Sequence, residues 1–430
     1  MKKKVVLVGC GDRTCVYADL ALHTFNAIEI VAAVDPDLAR QEYVQKHFGV
    51  SKDKCFSDIK DVLSQGKIGD LVINGTMDHL HIATAMPFLK QGYDMLLEKP
   101  ITNNAKELLE LANTAKENNC KLMICHVLRF SPFYREIKKI LLSGELGEIV
   151  NINTTERVGA YHSSVSYLRG KWNSEEKCGS SFLLAKCCHD IDLIAWFNNN
   201  TKPVSVFSSG GRNFFNEENA PKGSGTRCLV DCPKEIKEKC IYDAEYMYLK
   251  NDLLPWYPWQ CTGKNYQDVT YEEKLESLKT YNPHGRCVYK CGGDILDHQL
   301  VLMKFANGST ACHTLVLGAM KADRTIHILG TKGEIEGEAS SGKFVVRVFD
   351  KETAGYKERT VSFADTQGET GGHFGGDKGL VQDFLAYVSD GEPSISTTVI
   401  DDSIIGHLMV FDADKSVKIN KPVAFEWGNK

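Results

Sequence analysis

The first 125 residues alternate short apolar runs with helix-like stretches, and this alternation restricts the possible folds more than any other feature. The apolar runs are typical of buried strands because they are continuous and end at polar or turn residues. They occupy residues 4–9, 29–34, 70–74, 94–98 and 121–125. Helix-like stretches begin near Tyr17, Ile82 and Lys106. Strands that alternate with helices over this length predict an α/β domain with a doubly wound parallel sheet.

The turn after the first predicted strand has the pattern of a dinucleotide site. It reads Gly9-Cys10-Gly11-Asp12-Arg13-Thr14. In such turns two glycines allow a tight turn and close approach to a pyrophosphate, and a third small residue packs helix against strand. Asp35 ends the second predicted strand, where a carboxylate accepts hydrogen bonds from a ribose and repels a 2′-phosphate. The sequence predicts NAD in preference to NADP, with an ordinary strand-to-helix turn as the alternative.

Length, charge and cysteine content restrict the remaining classes of protein. A chain of 430 residues favours two domains. Its net charge of −5 provides no positive field for a phosphate backbone, so we expect small-molecule partners and no nucleic acid. We expect no membrane association, because no apolar run is long enough to cross a bilayer. Fifteen cysteines without a secretory signal indicate a reducing compartment, so we expect a cytoplasmic protein.

Four further motifs resemble the Gfo/Idh/MocA family, named for glucose–fructose oxidoreductase, inositol dehydrogenase and a rhizopine-catabolism protein. They are Thr76-Met77-Asp78-His79-Leu80-His81, Leu96-Leu97-Glu98-Lys99-Pro100, His126-Val127-Leu128-Arg129-Phe130 and Gly144-Glu145-Leu146-Gly147-Glu148-Ile149. The resemblance implies a Rossmann domain over residues 1–125 and an α+β domain over residues 126–430. The second domain would contain an open, mostly antiparallel sheet that covers the nicotinamide and forms a homo-oligomer contact. The implied activity is NAD-dependent hydride transfer to or from a sugar, polyol or sugar derivative.

Two segments carry the residues that such a reaction needs. A carbinol loses hydride to the nicotinamide and its hydroxyl proton to a base, so the site needs a base and a cation near the developing anion. The resemblance gives Lys99 and His189 these catalytic roles. It also aligns Asp192 with the acidic residue that follows the catalytic histidine in the family. Ala185 stands where the family has an aspartate, and the adjacent Lys186 is a candidate second cation. A surface lysine and an ordinary helix histidine are the alternatives for Lys99 and His189.

The dinucleotide turn and the family motifs together define the residues expected to line the two ligand sites. The expected cofactor residues are Gly9, Gly11, Asp12, Arg13, Asp35, Thr76, His79, His81, Glu98, Lys99 and Arg129. The expected substrate residues are Tyr161, His162, Trp172 and Asp192. Aromatic rings can cover the C–H face of a polyol, although packing is their alternative role. A glycine-rich segment at residues 371–377 is either a phosphate-binding turn or a flexible segment over the active site.

Between residues 212 and 294 the family pattern fades, which indicates an insertion. The cysteines there that could bind a metal are Cys228, Cys232, Cys240, Cys287 and Cys291. Two Cys-x3-Cys pairs can supply four thiolates to a structural zinc, and an iron–sulfur cluster would use a similar set. Cys240 is an alternative ligand. Unliganded buried thiols are the competing interpretation.

Two other functions stay open on the sequence alone. Some relatives of the family are glycosidases that oxidise a ring carbon, eliminate the aglycone and return the hydride to the sugar. A tightly held cofactor without net NADH release would favour that chemistry. The family also contains nucleotide-bound regulatory proteins without turnover, and the presence of Lys99 and His189 argues against that function.

Overall fold

Residues 2–363 and 373–426 are described by a computed structural model, in which the chain forms two sheets with helices around them. Gly371 and Gly372 of the glycine-rich segment lie outside the described residues. Across these described ranges, no helix is both long enough and apolar enough to cross a bilayer.

The first sheet contains six strands. They are β1 Lys3–Val8, β2 Ile28–Val34, β3 Cys55–Phe56, β4 Leu71–Asn74, β5 Asp94–Leu97 and β6 Leu122–Ile124. All pairs are parallel and the order is β3-β2-β1-β4-β5-β6. Val5 to Val8 are fully buried because helices cover both faces of the sheet. The predicted doubly wound parallel sheet is confirmed.

Six helices lie between the strands of this sheet along the chain or directly follow its last strand. They are α1 Asp12–Asp19, α2 Leu38–Phe48, α3 Ile59–Leu63, α4 His81–Lys90, α5 Ala105–Glu117 and α6 Pro132–Leu142. Asp37 caps α2 by accepting from Ala39 N at 2.9 Å, and Asn104 caps α5 by accepting from Lys106 N at 2.9 Å. Helix α1 begins earlier than predicted, directly after Gly11. Its N-terminus therefore lies at the carboxyl end of β1.

The second sheet contains nine strands and is open. They are β7 Ile149–Gly159, β8 Pro203–Gly211, β9 His298–Phe305, β10 Thr310–Ala319, β11 Asp323–Gly330, β12 Gly333–Glu338, β13 Lys343–Asp350, β14 Gly355–Ser362 and β15 Val423–Ala424. The order is β14-β13-β12-β11-β7-β10-β9-β8-β15, with β7 parallel to β10 and the other pairs antiparallel. The predicted mostly antiparallel sheet is confirmed.

Helices cover one face of this second sheet. The helices of this part are α7 Ala160–His162, α8 Glu175–Cys178, α9 Phe182–Phe197, α10 Lys234–Lys237, α11 Trp256–Trp259, α12 Tyr271–Lys279, α13 Gly376–Asp390 and α14 Ile400–Ile419. Helix α9 packs between α14 and strands β7 and β10. Every residue of α9 except Lys186 is buried. The side chains of α9, including His189, are therefore fixed by packing on all sides.

Helix α13 returns to the first sheet. Leu380 and Phe384 belong to the same buried cluster as Val5 and Leu7. Beyond α13, the carbonyl of Thr398 accepts a hydrogen bond from Ile124 N at 2.9 Å. The core of the first domain is thus completed by residues far along the chain, and a boundary at residue 125 stays a prediction.

The segment between β8 and β9 connects two neighbouring antiparallel strands, for which a short turn would suffice. It includes α10, α11 and α12, and its described residues form one isolated bridge, Arg227 with Arg286, but no strand. Arg169, which is 2% exposed, anchors this segment by donating to Arg286 O at 2.6 Å and Tyr242 O at 2.7 Å. We call residues 212–294 the insertion.

Candidate functional site

The turns after β1 and β4 lie side by side and fit a bound dinucleotide. Gly9 has a φ of +75°, and a Cβ there would lie 2.7 Å from Thr76 N. Thr14 occupies the place of the third glycine, and a Cβ on Gly75 would clash with its Oγ1. Gly75 therefore allows the close packing of helix and strand that the third glycine allows in other dinucleotide-binding turns. Gly11 supplies no side-chain cap to α1, so the first N–H groups of α1 are available to a pyrophosphate.

Asp35 lies at the end of β2 and is only 2% exposed. Its carboxylate accepts hydrogen bonds from Cys10 N at 2.8 Å and Asp37 N at 2.9 Å. Arg40, at the start of α2, approaches the same carboxylate at 3.4 Å. The position expected to meet the adenosine ribose therefore combines an anion with a partly exposed cation.

Arg13, in the first turn of α1, is held between two carboxylates. It pairs with Glu98 at 3.4 Å and with Asp377 of α13 at 2.5 Å. Burial acts to raise the pKa of Asp377, but hydrogen bonding to His373 and the charge of Arg13 hold it well below its usual range. Glu98 also accepts from Tyr17 Oη at 2.6 Å. These contacts fix the edge of the nucleotide site to a helix of the C-terminal part.

The turn from Thr76 to His81 joins the first sheet to the second domain. The ring nitrogens of His81 lie 2.6 Å from Pro100 O and 3.0 Å from Thr76 O, so His81 lies beneath the turn. His79 is exposed and packs against Gly179. Asp78 accepts from Ser180 Oγ at 2.8 Å and Trp172 Nε1 at 3.3 Å. This turn therefore provides polar contacts between the two parts of the chain.

Lys99 and His189 lie at the junction of the two domains. The peptide bond between Lys99 and Pro100 is cis. Lys99 Nζ donates to the carbonyl of Ala185 at 2.9 Å, one helical turn before His189 on α9. Among the described residues, Lys99 has no carboxylate within ion-pair distance. The structure thus brings together the two residues for which the sequence predicts catalytic roles.

His189 is 5% exposed, and its Nδ1 has no hydrogen-bond partner in the described part of the chain. Burial lowers the pKa of His189 well below its usual value, and the positive charge of Lys99 lowers it further. The His126 ring lies 5.7 Å away and the His373 ring 6.2 Å away, centroid to centroid. His189 is therefore a neutral imidazole at pH 7, and a neutral imidazole can accept a proton.

Lys186 differs from Lys99 because its charge is already balanced. Its Nζ lies 3.2 Å from Glu156, whose second oxygen pairs with Arg324 at 2.8 Å. Arg324 also pairs with Asp190 at 2.9 Å. Two cations and two carboxylates therefore form one network on the sheet side of α9, which makes Lys186 less suited than Lys99 to stabilise a developing anion.

Arg129 and Asp192 form a buried ion pair with two contacts, Nε to Oδ2 at 2.7 Å and NH2 to Oδ1 at 2.6 Å. Both side chains are 1% exposed. The guanidinium also lies 5.5 Å from the Trp196 ring. This pair joins the end of the first domain to α9, and the cofactor role expected for Arg129 and the substrate role expected for Asp192 stay predictions.

The expected aromatic residues line the opposite side of the junction. Trp172 lies 6.2 Å from Tyr257 of the insertion, and Lys171 Nζ lies 4.3 Å from the Trp172 ring. Tyr161 is half-buried with its ring 5.8 Å from Tyr248. His162 is half-buried against Tyr167 at 5.7 Å. The insertion therefore adds an aromatic wall to the junction.

Comparison with known families agrees with this geometry. The family model described as "Oxidoreductase family, NAD-binding Rossmann fold", GFO_IDH_MocA, matches residues 3–126. Its companion, "Oxidoreductase family, C-terminal alpha/beta domain", matches residues 138–399. The chain belongs to the Gfo/Idh/MocA oxidoreductase family. The resemblance inferred from the motifs is confirmed, and so is the NAD-binding Rossmann domain.

Known members of the Gfo/Idh/MocA family resemble this chain at low identity. The oxidoreductase YteT of Bacillus subtilis (strain 168) is 24% identical over 397 residues, which covers 89% of this chain and 88% of YteT. Inositol 2-dehydrogenase of Corynebacterium glutamicum (strain R) is 23% identical over 194 residues, or 45% of this chain and 53% of that enzyme. A levoglucosan dehydrogenase structure with NADH and levoglucosan gives a TM-score of 0.69 at 16% identity, covering 99% of this chain and 100% of that one.

Several residues of this Gfo/Idh/MocA site were not identified from sequence reasoning. Gly75, Arg40, Asp377 and His373 approach the nucleotide turn or His189 from elsewhere in the chain. Gly75, next to Thr76, could have been identified from the missing third glycine at Thr14. His373 and Asp377 lie in the glycine-rich segment 371–377, for which a position over the active site was one of two expectations, but neither was predicted as a contact because no local pattern indicates that α13 packs on α1.

Proposed function

We propose that this chain is an NAD-dependent dehydrogenase that oxidises a secondary alcohol of a sugar, polyol or sugar derivative. The observation that carries the proposal is that Lys99 contacts α9 one helical turn before His189, a neutral imidazole whose Nδ1 has no hydrogen-bond partner among the described residues. When bound, NAD accepts the hydride. His189 takes the hydroxyl proton at its ring nitrogen, and the Lys99 ammonium stabilises the negative charge on the substrate oxygen.

A cyclic polyhydroxy compound is the substrate class that the site supports best. Trp172 and Tyr257 offer ring faces to C–H groups, while His162 and Lys171 supply polar atoms for hydroxyls. An inositol dehydrogenase and a levoglucosan dehydrogenase are among the similar proteins. The assay panel should therefore begin with inositols and anhydrosugars and extend to other sugars and polyols.

Cofactor choice is tested with two variants at the ribose position. Asp35→Asn removes the negative charge but keeps an acceptor oxygen, and we expect NAD affinity to fall by about 1–3 kcal/mol. Arg40→Ala removes the cation that could pair with a 2′-phosphate, so it should weaken NADP more than NAD. Both dissociation constants can be measured by calorimetry for the parent and each variant. An unmodified protein that binds NADP more tightly than NAD would contradict the preference for NAD.

The uncovered face of the second sheet is the proposed contact surface of a homo-oligomer. Leu300 and Leu302 point outwards from β9 with exposed fractions of 38% and 43%, an unusual use of apolar residues on a free surface. We expect Leu300→Lys combined with Leu302→Lys to reduce the molar mass measured by light scattering to that of one chain. Leu38→Lys, on exposed Leu38 of α2, is the control and should leave the mass unchanged. A parent protein that is already monomeric would contradict this interface.

A further inference from the structure

Four of the five cysteines expected as metal ligands surround one cavity. Cys228, Cys232, Cys240 and Cys287 line it together with Arg169 and Asp243. They come from separate stretches of the insertion and meet where the isolated bridge joins Arg227 to Arg286. Cys291 is not part of this set, because its Sγ donates to Leu168 O at 2.9 Å instead. The five-cysteine set predicted from the sequence is therefore reduced to four.

The size of the cavity restricts what it can hold. Its volume is about 20 Å³, and about 10–15 Å³ suffices for one water molecule. A single ion fits this space. An organic ligand does not, and a cluster of several iron and sulfide ions is also too large.

A buried carboxylate oxygen at the cavity gives an independent indication of a cation. Asp243 is 6% exposed, and its Oδ2 accepts from Tyr246 N at 3.0 Å. Its Oδ1 has no hydrogen-bond donor among the described residues. A buried acceptor without a partner is costly, and a bound cation would remove that cost.

The surrounding charges suit a metal held by four thiolates. Four thiolates around a divalent ion carry a net charge of −2, which a buried site must compensate. Arg169 is 2% exposed and its NH2 lies 3.5 Å from Cys228 Sγ. Lys237 also lines the cavity. Arg169 therefore places one buried positive charge beside the proposed centre, whereas Lys237 is paired with Glu245 at 3.5 Å.

We propose that Cys228, Cys232, Cys240 and Cys287 bind one zinc ion that cross-links the insertion. Each thiol releases its proton to solvent as its sulfur–zinc bond forms, so the site carries no redox step. In the described structure no three of these sulfurs lie within 4.8 Å of one another. Binding therefore requires rotation of cysteine side chains towards the cavity centre. The insertion, all of whose residues the structure describes, contains no strand, and a metal bound by these four cysteines would join its separate stretches.

The test is elemental analysis of full-length protein purified without a histidine tag. We expect about one zinc per chain, the content of a single tetrahedral site. Addition of an organomercurial should release that zinc to a colorimetric chelator and lower the melting temperature. Cys232→Ser and Cys287→Ser should each lose the zinc, whereas Cys261→Ser, at the exposed cysteine of the same insertion, should keep it.

Parent protein that contains no zinc and does not take it up after reduction would overturn the proposal. Several irons per chain with visible absorption would overturn it in favour of a cluster. Equal loss of zinc in the Cys261→Ser control would do so as well. The measurement on the parent does not depend on whether any variant folds, and it is independent of dehydrogenase activity.

Discussion

Removal of either Lys99 or His189 should slow hydride transfer by about 100-fold or more, the usual contribution of a positioned acid or base. His189→Ala removes the proposed proton acceptor, and Lys99→Ala removes a cation that no carboxylate of the described residues balances. Because both residues act on the reacting hydroxyl, the affinity for NAD should change little. Single-turnover kinetics at saturating NAD, together with NAD binding measured separately, distinguish these effects.

His23→Ala is the matched control, because His23 is an exposed histidine in the turn that follows α1. It should turn over at the parent rate. If His189→Ala or Lys99→Ala also kept the parent rate, that residue would have to leave the mechanism.

The pH profile gives a second readout for His189. Its pKa is lowered, so the neutral base persists until the pH falls below that lowered value. We therefore expect kcat/KM to stay level from pH 7 down through the ordinary histidine value of about 6.5. An acid limb with its midpoint at or above that value would show that His189 is not the base.

Disruption of the buried pair between Arg129 and Asp192 should cost about 3–5 kcal/mol of folding free energy, because removal of either side chain leaves the other buried without its closest counter-charge. Asp192→Ala is the clearest change, since both side chains are 1% exposed and bonded at 2.6–2.7 Å. The double variant Arg129→Met with Asp192→Leu should lose less than Asp192→Ala alone. Urea unfolding followed by fluorescence provides the free energies.

The exposed pair Glu136 and Lys139 provides the comparison for this experiment. Glu136→Gln should change the free energy of unfolding by less than about 1 kcal/mol. If Asp192→Ala lowered the free energy of unfolding by as little as Glu136→Gln does, the buried pair would not be a structural link.

Sequence reasoning predicted the parts of the fold that depend on local patterns. The continuous apolar runs identified β1, β4 and β5 because both faces of a parallel sheet are buried. The Glu98-Lys99-Pro100 turn and the motif around His189 were instead identified from their resemblance to the family, and the catalytic roles of Lys99 and His189 stay predictions. Helix α1 was placed too late, since Asp12 and Arg13 read as part of a turn when considered without the helix that follows.

The features that sequence reasoning missed depend on contacts between distant parts of the chain. Nothing local to Asp192 indicates that it meets Arg129, so it was expected to face substrate. The same holds for Arg13 and Asp377, which are joined only because α13 returns to the first sheet. The cysteines were recognisable as a group, but only the folded insertion separates Cys291 from the other four.

The central claim is net hydride transfer from a sugar or polyol to NAD at Lys99 and His189. The most direct test is absorbance of NADH at its nicotinamide band while the protein is incubated with NAD and a panel of inositols, anhydrosugars and aryl glycosides. We expect NADH to accumulate with at least one cyclic polyol or sugar, and Lys99→Ala to lower the rate of accumulation by about 100-fold or more. Release of the aryl group with no accumulation of NADH would contradict the central claim and identify a redox-neutral glycosidase.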